Sequence, residues 1–379
     1  MKHGNNPVSG RTVPAHDSSS RLLSEQVFWT LLERERALVD RSERCYALLV
    51  FETPTGVDQA TKRPKLIEAV CERVRTSDAV GWMGHGRLGA LLAESDERQA
   101  RSVAESIFAS VGHAGDCPSC EIYVYPARLP RRPEQATSED WNATLPTGGA
   151  GSIHVASLPQ AHALMASPIP RWKRVLDVSI ACTALVLLAP LLLALAAYIR
   201  WVSPGPVLFA QQRIGWGCRP FTCLKFRTMH VNADTTVHEQ HVSSLIAHAH
   251  TPMRKLESGT DHRLIPLARF VRATGLDELP QLINVLRGEM SVVGPRPCMA
   301  YEFESLAPWQ RRRFDTLPGL TGLWQVNGKN RTSFLQMMRY DISYAAKLSI
   351  GRDGHIIWRT LPAMIGQVRS LQTKTGSQS

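Results

Sequence analysis

From Val178 to Ile199 the chain reads VSIACTALVLLAPLLLALAAYI, with no Asp, Glu, Lys or Arg. As one straight helix the run is about 33 Å long at ~1.5 Å per residue, enough to cross a bilayer core of about 30 Å. A segment this apolar belongs in lipid or in the centre of a large core, so it constrains the fold more than any other stretch. Two features argue against a simple span. Pro190, near the middle, removes an internal hydrogen bond and predicts a sharp break. Both flanks are basic, with Arg171, Lys173 and Arg174 before the run and Arg200, Arg213 and Arg219 after it, so the Lys/Arg bias picks no side. The expectation is a re-entrant helix over 175–202, bent at Pro190, with both ends at the cytoplasmic face of the inner membrane.

The formal charge of +11 and a pI near 9.5 point to an anionic partner. Nucleic acid is set aside, because the chain carries no zinc-finger spacing, RNA-binding signature or arginine-rich repeat. Membrane lipids and phosphorylated substrates remain. The eight cysteines are scattered rather than framed as a secreted disulfide scaffold, which fits a reducing cytosol. Residues 1–20 lack an apolar core and are expected to be a disordered tail.

Between 21 and 126 the periodicity predicts an α+β domain. Phe28, Leu31, Leu32 and Val39 share a helical face, and Tyr46–Phe51 is a buried strand. A second helix covers Leu66–Val74. Strands Ala79–Trp82 and Gly89–Ala93 flank the turn Gly84-His85-Gly86, a third helix covers Ala104–Val111, and Glu121–Tyr125 is the last strand. The order αβαββαβ suggests a ferredoxin-like antiparallel sheet with helices on one face. Residues 127–170, rich in Pro, Ser, Thr, Gly and Ala, read as a linker, and 371–379 as a polar tail.

The chemistry concentrates in Arg272–Pro297. Asp277 and Glu278 precede Pro280 and an apolar-periodic run, placing two carboxylates at a helix start, where free N–H groups favour anions. Gly288 ends that helix, and Val292-Val293-Gly294-Pro295-Arg296-Pro297 reads as a short strand entering a stiff, Arg-bearing turn. Taken alone the segment leaves two readings open. Thr274-Gly-Leu-Asp277 fits a capping box, and the same acids fit phosphoryl chemistry with a divalent metal.

The other segments tip this balance. Arg174-Val-Leu-Asp177, Pro204-Gly-Pro-Val-Leu-Phe209, Gln212-Arg-Ile-Gly215, Lys225-Phe-Arg-Thr-Met229, Leu276-Asp-Glu-Leu-Pro-Gln-Leu-Ile-Asn284, Met290–Pro297 and Pro318-Gly-Leu-Thr-Gly-Leu-Trp-Gln-Val326 follow one another in order. Over 171–370 the chain thereby resembles the bacterial sugar transferases, monotopic polyprenyl-phosphate phosphoglycosyl transferases that are mostly helical. The resemblance implies transfer of a sugar 1-phosphate from a nucleoside-diphosphate sugar, usually a UDP-sugar, to undecaprenyl phosphate, the first membrane step of exopolysaccharide or O-antigen assembly. It further implies Asp277 as nucleophile, Glu278 as ligand of Mg²⁺, and Lys225, Arg227, Arg269, Arg272, Arg296 and Gln325 as substrate contacts. Homodimers and downstream glycosyltransferases are the protein partners it suggests.

Departures are Ala189 where the family has Ser before the proline, Lys329 where Arg is common, and a His-rich stretch (His230, His238, His241, His248, His250) read as a polar loop over the site. Ala307–Phe314, with Arg311-Arg312-Arg313, reads as an amphipathic helix touching headgroups, and Ile350–Ile365 as another. Residues 21–126 resemble the GGDEF fold through Asp78–Leu92. Gly86 and Arg87 replace that family's acidic pair, which implies no cyclase activity and leaves a membrane-tethered nucleotide-binding regulator as the rival reading.

Overall fold

The computed structural model describes residues 21–42, 44–53, 59–84, 86–111, 118–126, 152–166, 168–230, 236–248, 250–251, 263–328, 332–360 and 362. Residues 1–20, expected to be a disordered tail, lie outside them, as do Lys329, His85, most of the expected linker and residues 371–379. The chain divides into two units, one of residues 1–127 with 144–156, the other of 128–143 with 157–379.

The first unit is built on a sheet of β1 (Leu22–Leu23), β2 (Tyr46–Glu52), β3 (Ala79–Trp82), β4 (Arg87–Ala93), β5 (Cys120–Tyr125) and β6 (Ile153–Val155), with helices α1 (Glu25–Val39), α2 (Gln59–Arg73) and α3 (Glu97–Val111). The strand order is β1-β3-β4-β2-β5-β6. Its four inner strands pair antiparallel as the element order predicts, and Tyr46–Phe51 is buried throughout. The sheet as a whole is mixed, because β1 and β6 add parallel edges. The β6 edge comes from the stretch read as a linker, where three residues are too short to show a period. A cross-strand glycine pair, Gly81 opposite Gly89, makes a slot for the Phe28 ring; a Cβ at either position would come within 2.7 Å of that ring.

The second unit begins with α4 (Leu158–Met165), also drawn from the expected linker and started by a Ser157/Gln160 capping box. Then comes α5 (Arg171–Val202), a single helix of 32 residues that runs through Pro190 without interruption. The helical ladder therefore continues where a break in it is expected. Proline deletes one intrahelical N–H bond, and the rest of the ladder carries the helix across. Among the described residues α5 is the one helix long and apolar enough to cross a membrane, and Val186, Leu187 and Leu193 around the proline face outward.

Strands β7 (Leu208–Ile214) and β8 (Pro220–Phe226) form an antiparallel hairpin, followed by α6 (Thr236–Ala247), α7 (Ala268–Thr274), α8 (Gln281–Arg287), β9 (Ser291–Val293) and α9 (Ala300–Glu304). Part of the expected His-rich loop is thus helical in α6, while the side chains of His238 and His241 lie outside the described residues. The unit closes with β10 (Gly319–Thr321), which pairs parallel with β9, then α10 (Leu323–Val326), α11 (Phe334–Ala345) and α12 over 350–360.

Two expectations about the bilayer meet different outcomes. Residues 308–315 form a 3-10 helix in which Arg311 and Arg313 are buried, Arg313 pairing with Asp341 at 2.6 Å. That segment is spent on the interior rather than on headgroups. Helix α12 is two-faced, with Asp353 and Ile356 buried and Ile350 and Trp358 exposed.

Candidate active site

The site is assembled around the link between α7 and α8. Helix α7 stops at Gly275 (φ 70°), the left-handed conformation glycine adopts without a Cβ penalty. The chain then makes a 3-10 turn over Leu276–Glu278 before α8 begins after Pro280. The carboxylates therefore lie on their own turn ahead of the helix. No side-chain cap bond is made at the start of α8, so the capping reading fails on geometry. Asp277 is 8% exposed while the Glu278 side chain is 41% exposed.

Lys225 reaches this turn from β8, its Nζ 3.1 Å from Glu278 Oε1. Its placement is fixed by Asn284 of α8. The Asn284 Oδ1 accepts the Leu224 N–H (3.0 Å), and its Nδ2 donates to Thr222 O (2.7 Å) and Glu289 Oε2 (2.6 Å). One fully buried amide thus clamps the lysine-bearing strand to the helix behind the acids.

The electrostatics follow. Burial pushes the Asp277 carboxyl up to about 6, the neighbouring Glu278 charge adds to this, and Lys225 and Arg272 oppose it. Arg272 stands exposed in the last turn of α7, as does Arg269 on the same helix. On the hairpin, the buried Cys223 thiol is raised by desolvation. It feels the charges of Lys225, Arg213, Glu278 and Arg296, which places Arg296 in the same neighbourhood. Arg296 is half-buried in the Pro-Arg-Pro turn, and its carbonyl accepts from Arg313 Nη2 at 2.7 Å.

That turn rests on glycines packed backbone against backbone. Gly294 N–H donates to Thr321 O and Gly319 N–H to Pro295 O, both at 2.8 Å. A Cβ on Gly294 would sit 2.2 Å from Leu317 O, and one on Gly319 2.0 Å from Gly294 N. The Gly322 Cβ position lies 2.3 Å from Gly294 O and 3.6 Å from Gln325 Oε1, which brings Gln325 beside the turn. The Gln325 Oε1 is buried with no hydrogen-bond partner among the described residues.

Arg227 is the exception among the expected substrate contacts. It is buried, with Nη2 on Ser203 O (2.5 Å) and Nη1 on Pro204 O (2.9 Å), the carbonyls that follow α5. Its guanidinium is occupied in holding the helix end, so the substrate reading is corrected.

Sequence reasoning passed over the residues that tie α5 to the site. The Lys173 Nζ donates to Val293 O (3.0 Å), the Tyr344 hydroxyl (2.9 Å) and Asp353 Oδ2 (2.7 Å). Asp177 Oδ1 accepts from Ser291 Oγ (2.8 Å) and the Val292 N–H (2.9 Å). Arg174 donates to the α8 carbonyls of Val285 and Leu286. Three charged residues on one short basic stretch were the available signal; their partners are more than a hundred positions away.

Two neighbouring carboxylates, one with its pKa pushed up to about 6 by burial, with a lysine and arginines around them, suit attack on a phosphate. Among the described residues no group of three or more His, Cys, Asp or Glu could hold a metal. What the turn itself offers a divalent cation is two carboxylates, Asp277 and Glu278, the number Mg²⁺ takes from a protein when water and phosphate oxygens complete its shell.

The bacterial sugar transferase model matches residues 169–367, just over half of the chain. The exopolysaccharide production protein ExoY of Sinorhizobium fredii is 38% identical over 193 residues, covering 51% of this chain and 84% of the relative. A UDP-glucose:undecaprenyl-phosphate glucose-1-phosphate transferase of Caulobacter vibrioides is 41% identical over 211 residues, covering 52% and 73%. Among solved structures, the GGDEF domain of PA1120 from Pseudomonas aeruginosa is similar at 19% identity and a TM-score of 0.29, covering 40% of this chain and 99% of that one. A likeness at that score fixes neither fold nor role for the first unit. The second unit's motifs, geometry and relatives agree, and the chain belongs to the bacterial sugar transferase family.

Proposed function

We propose that this enzyme transfers a sugar 1-phosphate from a UDP-sugar to undecaprenyl phosphate through a covalent intermediate on Asp277, the first membrane step of exopolysaccharide assembly. The observation that carries the reading is the buried Asp277, beside Glu278, Lys225 and Arg272 on a turn wired to the apolar helix. In the first step an Asp277 carboxylate oxygen attacks the β-phosphorus. The bond from that phosphorus to the bridging oxygen breaks, and UMP leaves with the oxygen and its electron pair. In the second step a phosphate oxygen of undecaprenyl phosphate attacks the same phosphorus and Asp277 is released, giving a diphosphate-linked sugar. Asp277 must be ionised to attack, and a partly desolvated carboxylate is a stronger nucleophile than a hydrated one.

Arg272 and Arg296 are placed to take phosphate oxygens, which guanidinium groups bind bidentately. Lys225 holds the Glu278 carboxylate in the free enzyme. Mg²⁺, held by Glu278 with Asp277 nearby, supplies neutralisation of the diphosphate charge when bound.

The disposition of α5 supports a monotopic arrangement. Its first turns are tied to β9, α8 and α12, and its last turn to β8 and the start of α7, all within one unit. A straight span would carry one end across the bilayer and away from those partners. The side follows from the proposed donor: UDP-sugars are made in the cytoplasm, so the catalytic face is assigned there.

Asp277→Asn in the full chain is the test. Purified wild-type protein in detergent should release UMP from a UDP-sugar with Mg²⁺ and undecaprenyl phosphate, and intact-mass spectrometry should find a sugar phosphate on Asp277. Full turnover by the Asn variant refutes the covalent mechanism.

A further inference from the structure

At the C-terminal end of α5 a second apolar surface stands open. Ile199, Phe226, Ile265 and Ala268 pack in a buried seam between the end of α5, the hairpin and the start of α7, with Val202 and Leu264 against it. Around that seam, large apolar side chains face outward: Trp201 at 84% exposure, Leu267 at 62% and Phe270 at 53%, with Leu208 and Phe209 at the open end of the hairpin. Trp201, Leu267 and Leu208 are each next in sequence to a seam residue (Val202, Ala268 and Val207), and Leu208 also pairs with Phe226. Phe270 lies two positions after Ala268 on α7, and Phe209 follows Leu208. Together they form one rim. Leu267 is also in the left-handed region (φ 60°), where glycine or asparagine is the usual occupant. A leucine is kept there at a backbone cost, with its side chain in the open.

We propose that this rim is a bilayer-insertion lip, distinct from the stripe around Pro190, through which the lipid acceptor reaches Asp277. The inference rests on the transferase reading and adds the side from which its acceptor enters. Three observations commit the rim to lipid. It is continuous with the apolar side of α5 through the partly buried Leu195, Tyr198 and Val202. It alternates with exposed Arg200, Arg269 and Arg272, the pattern of apolar anchors and cations that suits an anionic headgroup layer. The same α7 that carries Leu267 at its start and Phe270 on its surface carries Arg272 at its end, and Arg272 acts on the Asp277 carboxylate. A polyprenyl chain lying along the lip presents its phosphate first to Arg272 and then to the acid turn.

The test uses the full chain carrying Leu267→Ser together with Phe270→Ser, in vesicles of phosphatidylethanolamine and phosphatidylglycerol. The apparent KM for undecaprenyl phosphate should rise about tenfold, the change expected when roughly 1.4 kcal/mol of apolar transfer is lost. The single-turnover burst of UMP from the donor alone, and the KM for a ten-carbon prenyl phosphate soluble in water, should stay at wild-type values. Leu38→Ser, which removes a comparably exposed leucine from the first unit, should change nothing. An unchanged KM for the long acceptor, or an equal rise for the short one, overturns the lip.

A separate variant covers damage to the fold. Leu267→Trp should gain fluorescence that brominated acyl chains quench beyond the wild-type level. Absence of that extra quenching overturns the proposal, as does a change of oligomeric state in the double serine variant, which would assign the rim to a second copy. A wild-type enzyme with no UMP burst would refute the transferase reading instead, while the quenching still reports on the lip.

Discussion

The Lys173 ammonium lies 2.7 Å from the Asp353 carboxylate, with both side chains withdrawn from solvent. The two residues stand at the start of the apolar helix and on the last described helix, 180 positions apart. The Tyr344 hydroxyl completes the group, 2.6 Å from Asp353 Oδ1 and 3.0 Å from Val293 O, its one proton shared between the two acceptors. The carbonyl of Val293, one residue before the Gly-Pro-Arg turn, therefore receives both a lysine and a tyrosine. Through this junction the membrane element and the phosphate-binding turn become one mechanical piece.

Breaking that junction from one side should be costly. Lys173→Met leaves Asp353 as an uncompensated buried carboxylate, and a loss of roughly 3–5 kcal/mol is expected from removing one partner of a buried pair. Thermal unfolding in detergent should show a large fall in Tm. The double change Lys173→Met with Asp353→Leu should recover most of it, since the penalty comes from the stranded charge. A double variant no more stable than the single one would contradict this account.

The acid limb of turnover should report Asp277. Its carboxyl is raised to about 6 by burial and by Glu278, so the attacking carboxylate is lost as pH falls through that value, and the rate falls with it. Lys225 opposes the rise, so Lys225→Met should move the limb to higher pH. The sign for stability is the reverse. A carboxyl whose folded pKa lies above its unfolded value contributes stability below about pH 4 that is lost as pH rises through about 6. Asp277→Asn should therefore be more stable than wild type at pH 8, by on the order of 2 kcal/mol, and close to it at pH 4. Equal unfolding midpoints at pH 8 would remove the desolvation argument.

How far the sequence disclosed this arrangement depends on the range of the interaction. The helix ended by Gly288 and the strand at Ser291–Val293 follow from local signals, a glycine and a β-branched run, whereas the acids, expected at the helix start, lie on a separate turn ahead of it. The inner strands follow from short apolar runs between turns, and their antiparallel pairing from the element order. The parallel edges of the first sheet do not, because β1 has two residues and β6 three. The failed break at Pro190 is a local rule overridden by the helix around it. Arg227 and Arg313 looked like phosphate or headgroup cations because charge alone says nothing about burial. Their carbonyl and carboxylate partners are fixed only by the tertiary fold.

Arg227 and Arg296 should separate cleanly. Arg227→Gln removes bonds to Ser203 O and Pro204 O, so it should lower stability by about 1–3 kcal/mol while leaving the donor KM near wild type. Arg296→Gln, in a half-buried turn beside the acids, should raise the donor KM at least tenfold, a loss of about 1.4 kcal/mol or more in phosphate binding, with little change in Tm. Initial rates across donor concentrations, paired with unfolding curves, distinguish the two. Swapped behaviour would return Arg227 to the substrate.

Asn284 offers the sharpest view of how the scaffold serves the chemistry, because its amide touches neither substrate nor membrane. Asn284→Ala strands the Leu224 N–H and the Thr222 carbonyl inside the protein, at about 1–3 kcal/mol for each unsatisfied group. The strand bearing Lys225 is then held to α8 by apolar packing alone. Loosening of that strand should weaken the hold of Lys225 on the acids, so the acid limb of turnover should climb in the same direction as in Lys225→Met, by a smaller amount. Asn284→Asp keeps the acceptor for Leu224 but loses both donated bonds and sets a second carboxylate against Glu289, so it should be at least as damaging as alanine. A pH–rate profile for Asn284→Ala that overlays the wild type would show the lysine to be positioned by something other than this clamp.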